Sequence, residues 1–400
     1  MILHTITNSI FVFSLVSHKK QSSTMMKYNW LTVNATRIVM VAAVALLMQG
    51  CGFLKSKFGG KGGKGGDVGI TNGEITATGR KGWKQPTPYG MVLVPSGSFI
   101  MGQADEDVAA TQINMNRQVT ISSFYMDDAE ISNHEYRQYV NALLADSVST
   151  LGEEEIMSKY YPDTTVWKND FTYHNGDPML EHYYAHPAFD TYPVVGVSWI
   201  AAKHFCKWRT NTLDDFRSKD GGYRSFGFRL PSEAEWEWAA RGGKSGAKYP
   251  WGNPYVANGK GCYLANFKPQ RGNFDADGYP YTAPATAYSP NDYGLYNMAG
   301  NVAEWCRDAY ADNTNAIVWD MNPDNQNADE PRKVVRGGSW KDIAYYLETG
   351  TRYYEYEDQK RSYIGFRCVM DNLEGRTASA RGGRVGGSSK SSKKPKAKKV

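Results

Sequence analysis

The stretch NDYGLYNMAGNVAEWC, residues 291–306, packs turn formers, oxygen donors and anchoring aromatics into one short run. Asn291, Asp292 and Gly294 are turn residues, and Leu295 with Tyr296 predicts a short buried strand. Asn297, Gly300 and Glu304 can aim oxygens at one point, a donor set that suits a hard cation such as calcium. The same residues also suit an ordinary turn in which Asn and Glu bond only backbone groups. The rest of the chain bears on the choice.

Its 400 residues, 41% hydrophobic and 13% aromatic, suffice for a globular protein with a substantial core. The net charge of +5 is unevenly spread. Residues 1–66 and 375–400 hold 17 Lys and Arg and no acid, so the middle carries 5 less 17, or −12. A mildly acidic body with cationic ends argues against a nucleic-acid-binding domain, while the ends can meet phosphate, anionic lipid or an acidic partner.

Residues 38–48 are an apolar run that follows Lys27 and Arg37 and precedes Gln49-Gly50-Cys51. It is too short to span a membrane and fits a secretory signal peptide over residues 1–50, with the true start expected at Met25 or Met26. A small residue directly before a lone Cys resembles a bacterial lipoprotein processing site, so Cys51 is expected to be lipidated as the first mature residue. Met48 and Gln49 depart from that motif, and a plain secreted protein or an uncleaved anchor are the alternatives. Residues 51–85 read as a flexible Gly/Lys tether and residues 375–400 as a disordered basic tail. Cys206, Cys262, Cys306 and Cys368 form no CxxC or zinc pattern, leaving disulfides and buried thiols both open.

Along the body, residues 91–101 alternate as a hairpin does, and residues 119–126 predict one further strand. Ser132 with Glu135 and Ser232 with Glu235 form capping boxes, and Ser198 caps a third helix through Trp199, Ala202, Phe205 and Cys206. Residues 194–197 read as a buried strand. Residues 334–340 and 363–370 are expected to be two short paired strands at the core. Residues 151–193 read as a long ordered insertion whose aromatics, Tyr160, Tyr161, Trp167, Phe171, Tyr173, Tyr183 and Tyr184, serve either a partner or their own domain.

Six ordered motifs then carry a resemblance: MVLVPSG (91–97), RLPSEAEWE (229–237), GLYN (294–297), GNVAEW (300–305), RGGSW (336–340) and GFRC (365–368). Residues 89–371 thereby resemble the formylglycine-generating enzyme (sulfatase-modifying factor) superfamily. The resemblance implies one mixed α+β domain over residues 86–374, related to C-type lectins and low in regular secondary structure. Copper oxidases of the family use two cysteines after the GGS motif. Asp342 and Leu347 align there, and soft copper(I) needs sulfur, so no catalytic residue is expected and the chain reads as a non-enzyme. Another branch holds non-haem iron on H-x-x-x-H-x-E; here His182 and His186 are followed by Ala188 in place of the acid. A metal-dependent oxidase is the alternative reading.

The resemblance implies two structural calcium sites. One takes side-chain oxygens of Asn297 and Glu304 with the carbonyls of Gly300 and Val302; the other takes Asn266 and Asp277 with the carbonyls of Phe267 and Tyr279. Within the superfamily, residues 88–91, 126–133 and 186–190, with the signal peptide and Cys51, look most like the GldK/PorK-type lipoproteins of type IX secretion and gliding motility, although a sister gliding lipoprotein shares the domain. That likeness implies a non-catalytic subunit, lipid-anchored in the outer membrane and facing the periplasm. It would self-associate into a ring and bind an N-type periplasmic ring protein, with no nucleic acid.

Overall fold

The computed structural model describes residues 70–71, 74–75, 85–103, 116–146, 151–171, 181–219, 225–270 and 272–373. The expected signal peptide, Cys51, Tyr173 of the insertion and the basic tail lie outside these residues. The chain divides into two units, residues 1–82 and 83–400. In the first, strand β1 (Ile70–Thr71) pairs antiparallel with β2 (Glu74–Ile75), inside the stretch read as tether. Among the described residues no helix is long and apolar enough to cross a membrane.

The second unit is built on short strands. One sheet has the order β10 (Arg352–Tyr356), β9 (Arg332–Arg336), β8 (Ala303–Ala309), β11 (Ile364–Gly365). The other runs β3 (Met91–Val94), β6 (Phe124–Asp127), β12 (Val369–Asp371), β7 (Phe228–Arg229). A third, two-stranded sheet pairs β4 (Gly97–Met101) with β5 (Arg117–Ile121). Successive side chains of a strand point to opposite faces, and β8 and β9 show it: Trp305 and Val335 enter one apolar cluster, Cys306 and Val334 another. A sheet covered on both faces has few exposed positions, which is why β8 is almost continuously buried.

The capped helices form as their sequence signals predict. Ser132 Oγ and N both meet Glu135 Oε2 at 2.8 Å, starting α1 (Asn133–Asp146), whose Tyr136, Tyr139, Val140 and Leu143 are buried. The insertion supplies α2 (Glu153–Lys159) and α3 (Val166–Asp170). Ser198 Oγ accepts from Ala201 N at 3.2 Å at the start of α4 (Trp199–Lys219). The Ser232/Glu235 box opens α5 (Glu233–Arg241), and left-handed Gly242 ends it.

The strand pairings differ from expectation. Residues 91–101 do not close a hairpin, because β3 pairs with β6 while β4 pairs with β5. Trp238 is wedged at the corner: its Nε1 donates to Pro95 O at 2.7 Å, and a Cβ on Gly97 would meet its ring at 2.7 Å. Residues 119–126 are likewise two strands in different sheets. Residues 194–197 are buried but stand outside the sheets, and Leu295 is buried without being a strand. Residues 334–340 and 363–370 are not partners; β9 lies between β8 and β10, and β11 runs parallel on the far side of β8.

Candidate functional site

Residues 291–306 are the hub that joins these layers. Asn291 Nδ2 donates to the carbonyls of Ala239 and Ala240 at 2.8 and 3.2 Å, closing the end of α5, and Asn291 Oδ1 accepts from Tyr293 N and Leu295 N. Gly300, at φ +80°, passes so close to residue 266 that a Cβ would lie 2.3 Å from Asn266 O; only glycine fits there. Gly300 N then donates to Gly337 O, Asn301 N to Asn266 O and Trp340 N to Asn301 O, all within 2.9 Å. The GNVAEW and RGGSW segments are thus tied by backbone bonds.

Glu304 ends the turn on β8, buried against Arg367. Arg367 Nη2 and Nε reach Glu304 Oε1 at 2.6 and 2.9 Å, Nε reaches Oε2 at 2.8 Å, and Trp236 Nε1 adds Oε2 at 2.7 Å. Three of the six motifs meet in this one carboxylate. Glu130, to which sequence reasoning gave no role, accepts from Asn297 Nδ2 and Asn301 Nδ2 at 3.1 Å each. Burial pushes its carboxyl up to about 8 against the pull of Arg367. Its partners lie 167 and 171 residues away, and no local pattern announces such a pairing.

The two expected calcium sites differ in how their residues are engaged. At Asn297, Gly300, Val302 and Glu304, the Glu304 carboxylate already receives three donors, Arg367 Nη2, Arg367 Nε shared between both oxygens, and Trp236 Nε1. A carboxylate offers about four lone-pair sites, so as placed most of it is spent on a guanidinium and an indole rather than open to a cation. At the other site the donors fit. Asn266 Nδ2 is bonded to Tyr281 O at 2.7 Å, while Asn266 Oδ1 is buried without a hydrogen-bond partner. Asp277 Oδ2 accepts from Phe267 N at 2.7 Å and Oδ1 from Tyr279 N at 3.5 Å, which brings Phe267 and Tyr279 to the same carboxylate. A buried oxygen left without a partner, on the residue before the one whose N–H the acid accepts, is the type of donor that calcium satisfies. Among the described residues no group of three His, Cys, Asp or Glu could hold a metal ion, so carbonyl and amide oxygens would have to supply most ligands.

The segment expected to align with the family's catalytic cysteines is buried at Leu347 and exposed at Ile343 and Tyr346. Leu347 is fully buried in a cluster with Tyr249, Ala265 and Phe267. Asp342 Oδ2 accepts from Ser339 Oγ at 2.6 Å, and burial raises its carboxyl. The insertion covers the neighbouring Trp340: Trp167 stacks on it at 5.9 Å and Phe171 at 5.6 Å. Asp170 bonds Lys341 Nζ at 2.6 Å and also Ser362 Oγ, fastening α3 over the RGGSW segment. Trp167, Tyr183 and Tyr184 are buried, so these aromatics pin the insertion to its own domain rather than face outward. His182 and His186 lie at the surface, with His186 Nδ1 accepting from Ala188 N at 3.1 Å.

The four cysteines are thiols, and Cys206 and Cys368 approach to 3.4 Å between sulfurs in the core.

This geometry agrees with what known proteins show. Residues 79–372 match the sulfatase-modifying factor enzyme 1-like domain, and the chain belongs to that formylglycine-generating enzyme family. It is 31% identical over 307 residues to the formylglycine-generating enzyme of Mus musculus, covering 71% of this chain and 75% of the relative. It is 30% identical over 307 residues to the inactive C-alpha-formylglycine-generating enzyme 2 of Bos taurus, covering 70% and 87%. PvdO from Pseudomonas aeruginosa superposes with a TM-score of 0.51 at 23% identity, over 72% of this chain and 98% of that one, which establishes the shared fold. The mixed α+β fold with little regular structure is therefore that of the family.

Proposed function

We propose that this chain is a non-catalytic member of the family: a lipoprotein held in the outer membrane through Cys51, facing the periplasm, and forming the ring of the type IX secretion and gliding-motility machinery with an N-type partner protein. The observation that carries the non-catalytic part is how the residues around Trp340 are engaged. Leu347 is core, Asp342 is bonded to Ser339, and α3 is stacked over Trp340. Without two thiolates there is no soft ligand pair for copper(I). An inactive relative at 30% identity supports the view that the family's scaffold is kept where its chemistry is not. The ring assignment rests on the resemblance of residues 88–91, 126–133 and 186–190. Calcium at Asn266, Phe267, Asp277 and Tyr279 would be structural, ordering an irregular loop.

Two measurements test this reading. Purified protein supplied with copper and a cysteine-containing sulfatase-type peptide is expected to turn over none of it, and metal analysis to find no stoichiometric copper or iron. Imaging of the complex extracted from the outer membrane is expected to place the chain in a closed ring with a second protein. Formylglycine in the peptide would sink the non-catalytic reading, and a monomer with no partner would sink the ring.

A further inference from the structure

Cys206 and Cys368 lie 162 residues apart in the chain, yet their sulfurs come within 3.4 Å of each other inside one apolar cluster. Cys206 is among the buried residues of α4, and Cys368 directly precedes β12. The two segments are fastened there without help from sulfur. Arg209, about one turn on from Cys206, donates to both oxygens of Asp127 at 2.9 and 2.8 Å, and Asp127 Oδ2 also accepts from Cys368 N at 2.8 Å. Asp127 N donates to Cys368 O at 3.0 Å. Thr210 Oγ1 accepts from Phe228 N at 2.7 Å, on the strand that flanks β12 on its other side. The backbone thus holds the two sulfurs face to face. A disulfide keeps its sulfurs about 2.0 Å apart, so from 3.4 Å the remaining approach is about 1.4 Å. Of the other described cysteines, Cys306 sits in a different cluster and Cys262 is exposed.

Cys206 and Cys368 are both buried. Thiol–disulfide exchange proceeds through the thiolate, and burial pushes the Cys368 thiol well above its ordinary range. An oxidant therefore meets neither an open sulfur nor an ionised one in the folded chain, whereas the unfolded chain offers both. We propose that Cys206 and Cys368 become a disulfide while the chain folds and are then sealed, so that this modification is set once, by the disulfide oxidant present at folding, and is insulated from thiol reagents afterwards. The chemistry is two exchanges. One chain thiolate attacks the oxidant's disulfide, forming a mixed disulfide and releasing a thiolate. The second chain thiolate attacks the chain sulfur of that mixed bond and releases the rest of the oxidant. The chain gives up two protons and two electrons, and the oxidant's disulfide becomes two thiols. The bond would tie α4 to β12 across 162 residues, and a cross-link restricts the unfolded chain more the longer the loop it closes. The proposal rests on the export reading only for where the oxidant is met.

The test is to unfold and reduce the full chain, refold it in reduced and oxidised glutathione, alkylate it in denaturant and map the peptides by mass. A peptide pair joined through Cys206 and Cys368 is expected, with Cys306 alkylated. A second sample is folded in the reduced state and only then given oxidised glutathione. There the bond should form at least about tenfold more slowly, because exchange waits for the core to open, and urea should restore the rate. The oxidised protein should in turn resist dithiothreitol in buffer but not in urea, and melt at a higher temperature than the reduced protein. Free Cys206 and Cys368 after refolding, or either of them joined to another cysteine, overturn the pairing. Oxidation of the folded chain as fast as of the refolding chain overturns the sealing. Protein taken from its own cells with the pair unlinked, although the pair links on refolding, sinks the export reading instead.

Discussion

Glu304 and Asp308 occupy the same strand, four residues apart, yet the structure treats them differently. Glu304 faces a guanidinium, and Arg367 returns its charge in kind. Asp308 has only backbone donors, Asn325 N at 3.0 Å and Glu233 N at 2.7 Å, with the acids Asp324 and Glu233 nearby. Burial first, then those two carboxylates, push its carboxyl from 3.8 up to about 8. The folded chain therefore keeps a proton that the unfolded chain has released. Stability present at low pH is lost as pH rises from about 4 towards about 8. Thermal melts across that window are expected to show the fall, and Asp308→Asn to make it shallower, with Glu130 keeping its share, while lowering the plateau, because its amide would turn a donor towards a backbone N–H. A slope unchanged by the substitution would mean that another group binds the proton. Removing Arg367 is a different experiment: it strands a buried carboxylate, and Arg367→Met should cost about 3 to 5 kcal/mol in denaturant melts.

At the scale of elements, the three capped helices were readable from sequence, while the helices of the insertion and the strand pairings were not. A capping box is a local device, complete within four positions, so Ser132 with Glu135 and Ser232 with Glu235 announce α1 and α5 without help from the rest of the chain. A strand of two to five residues carries too little periodicity to name its partner, and the corner at Pro95 and Gly97 is set by Trp238, more than 140 residues away. The meeting of Trp236, Glu304 and Arg367 involves residues that the motifs already single out, whereas the convergence of Glu130 with its two asparagines was hidden. The insertion shows both sides of this. Its aromatics were visible, but their direction became clear only with Trp340 beneath Trp167 and Phe171. Trp167→Ala is accordingly expected to cost about 3 to 5 kcal/mol and to raise the protease sensitivity of residues 151–193. Near-neutral stability would mean that α3 is only loosely seated.

For the whole molecule, the question is what holds a domain so poor in regular structure in one conformation. Part of the answer is ionic: Arg336, Arg241 and Arg352 are buried against Glu233 and Glu237, tying α5 to β9 and β10. Such a network fixes geometry more than it adds stability, because desolvation offsets much of the attraction. Among the described residues the loop containing Asn266 and Asp277 shows no comparable ion pair, and burial raises the Asp277 carboxyl while Asn266 Oδ1 stands unbonded. A calcium ion there would satisfy the orphan and favour the charged carboxylate together. Mass action then sets the size of the effect: at a hundredfold excess over Kd a ligand adds about 2.7 kcal/mol. Chelation is expected to lower the thermal midpoint by about 5 °C or more and to speed hydrogen exchange in residues 264–281. Asp277→Asn should remove that response while melting where the chelated parent melts. Identical melts with calcium, with chelator and in the variant would leave the loop to its hydrogen bonds alone, and the Asn266 oxygen would then be a strain that the ionic frame around Arg336 holds in place.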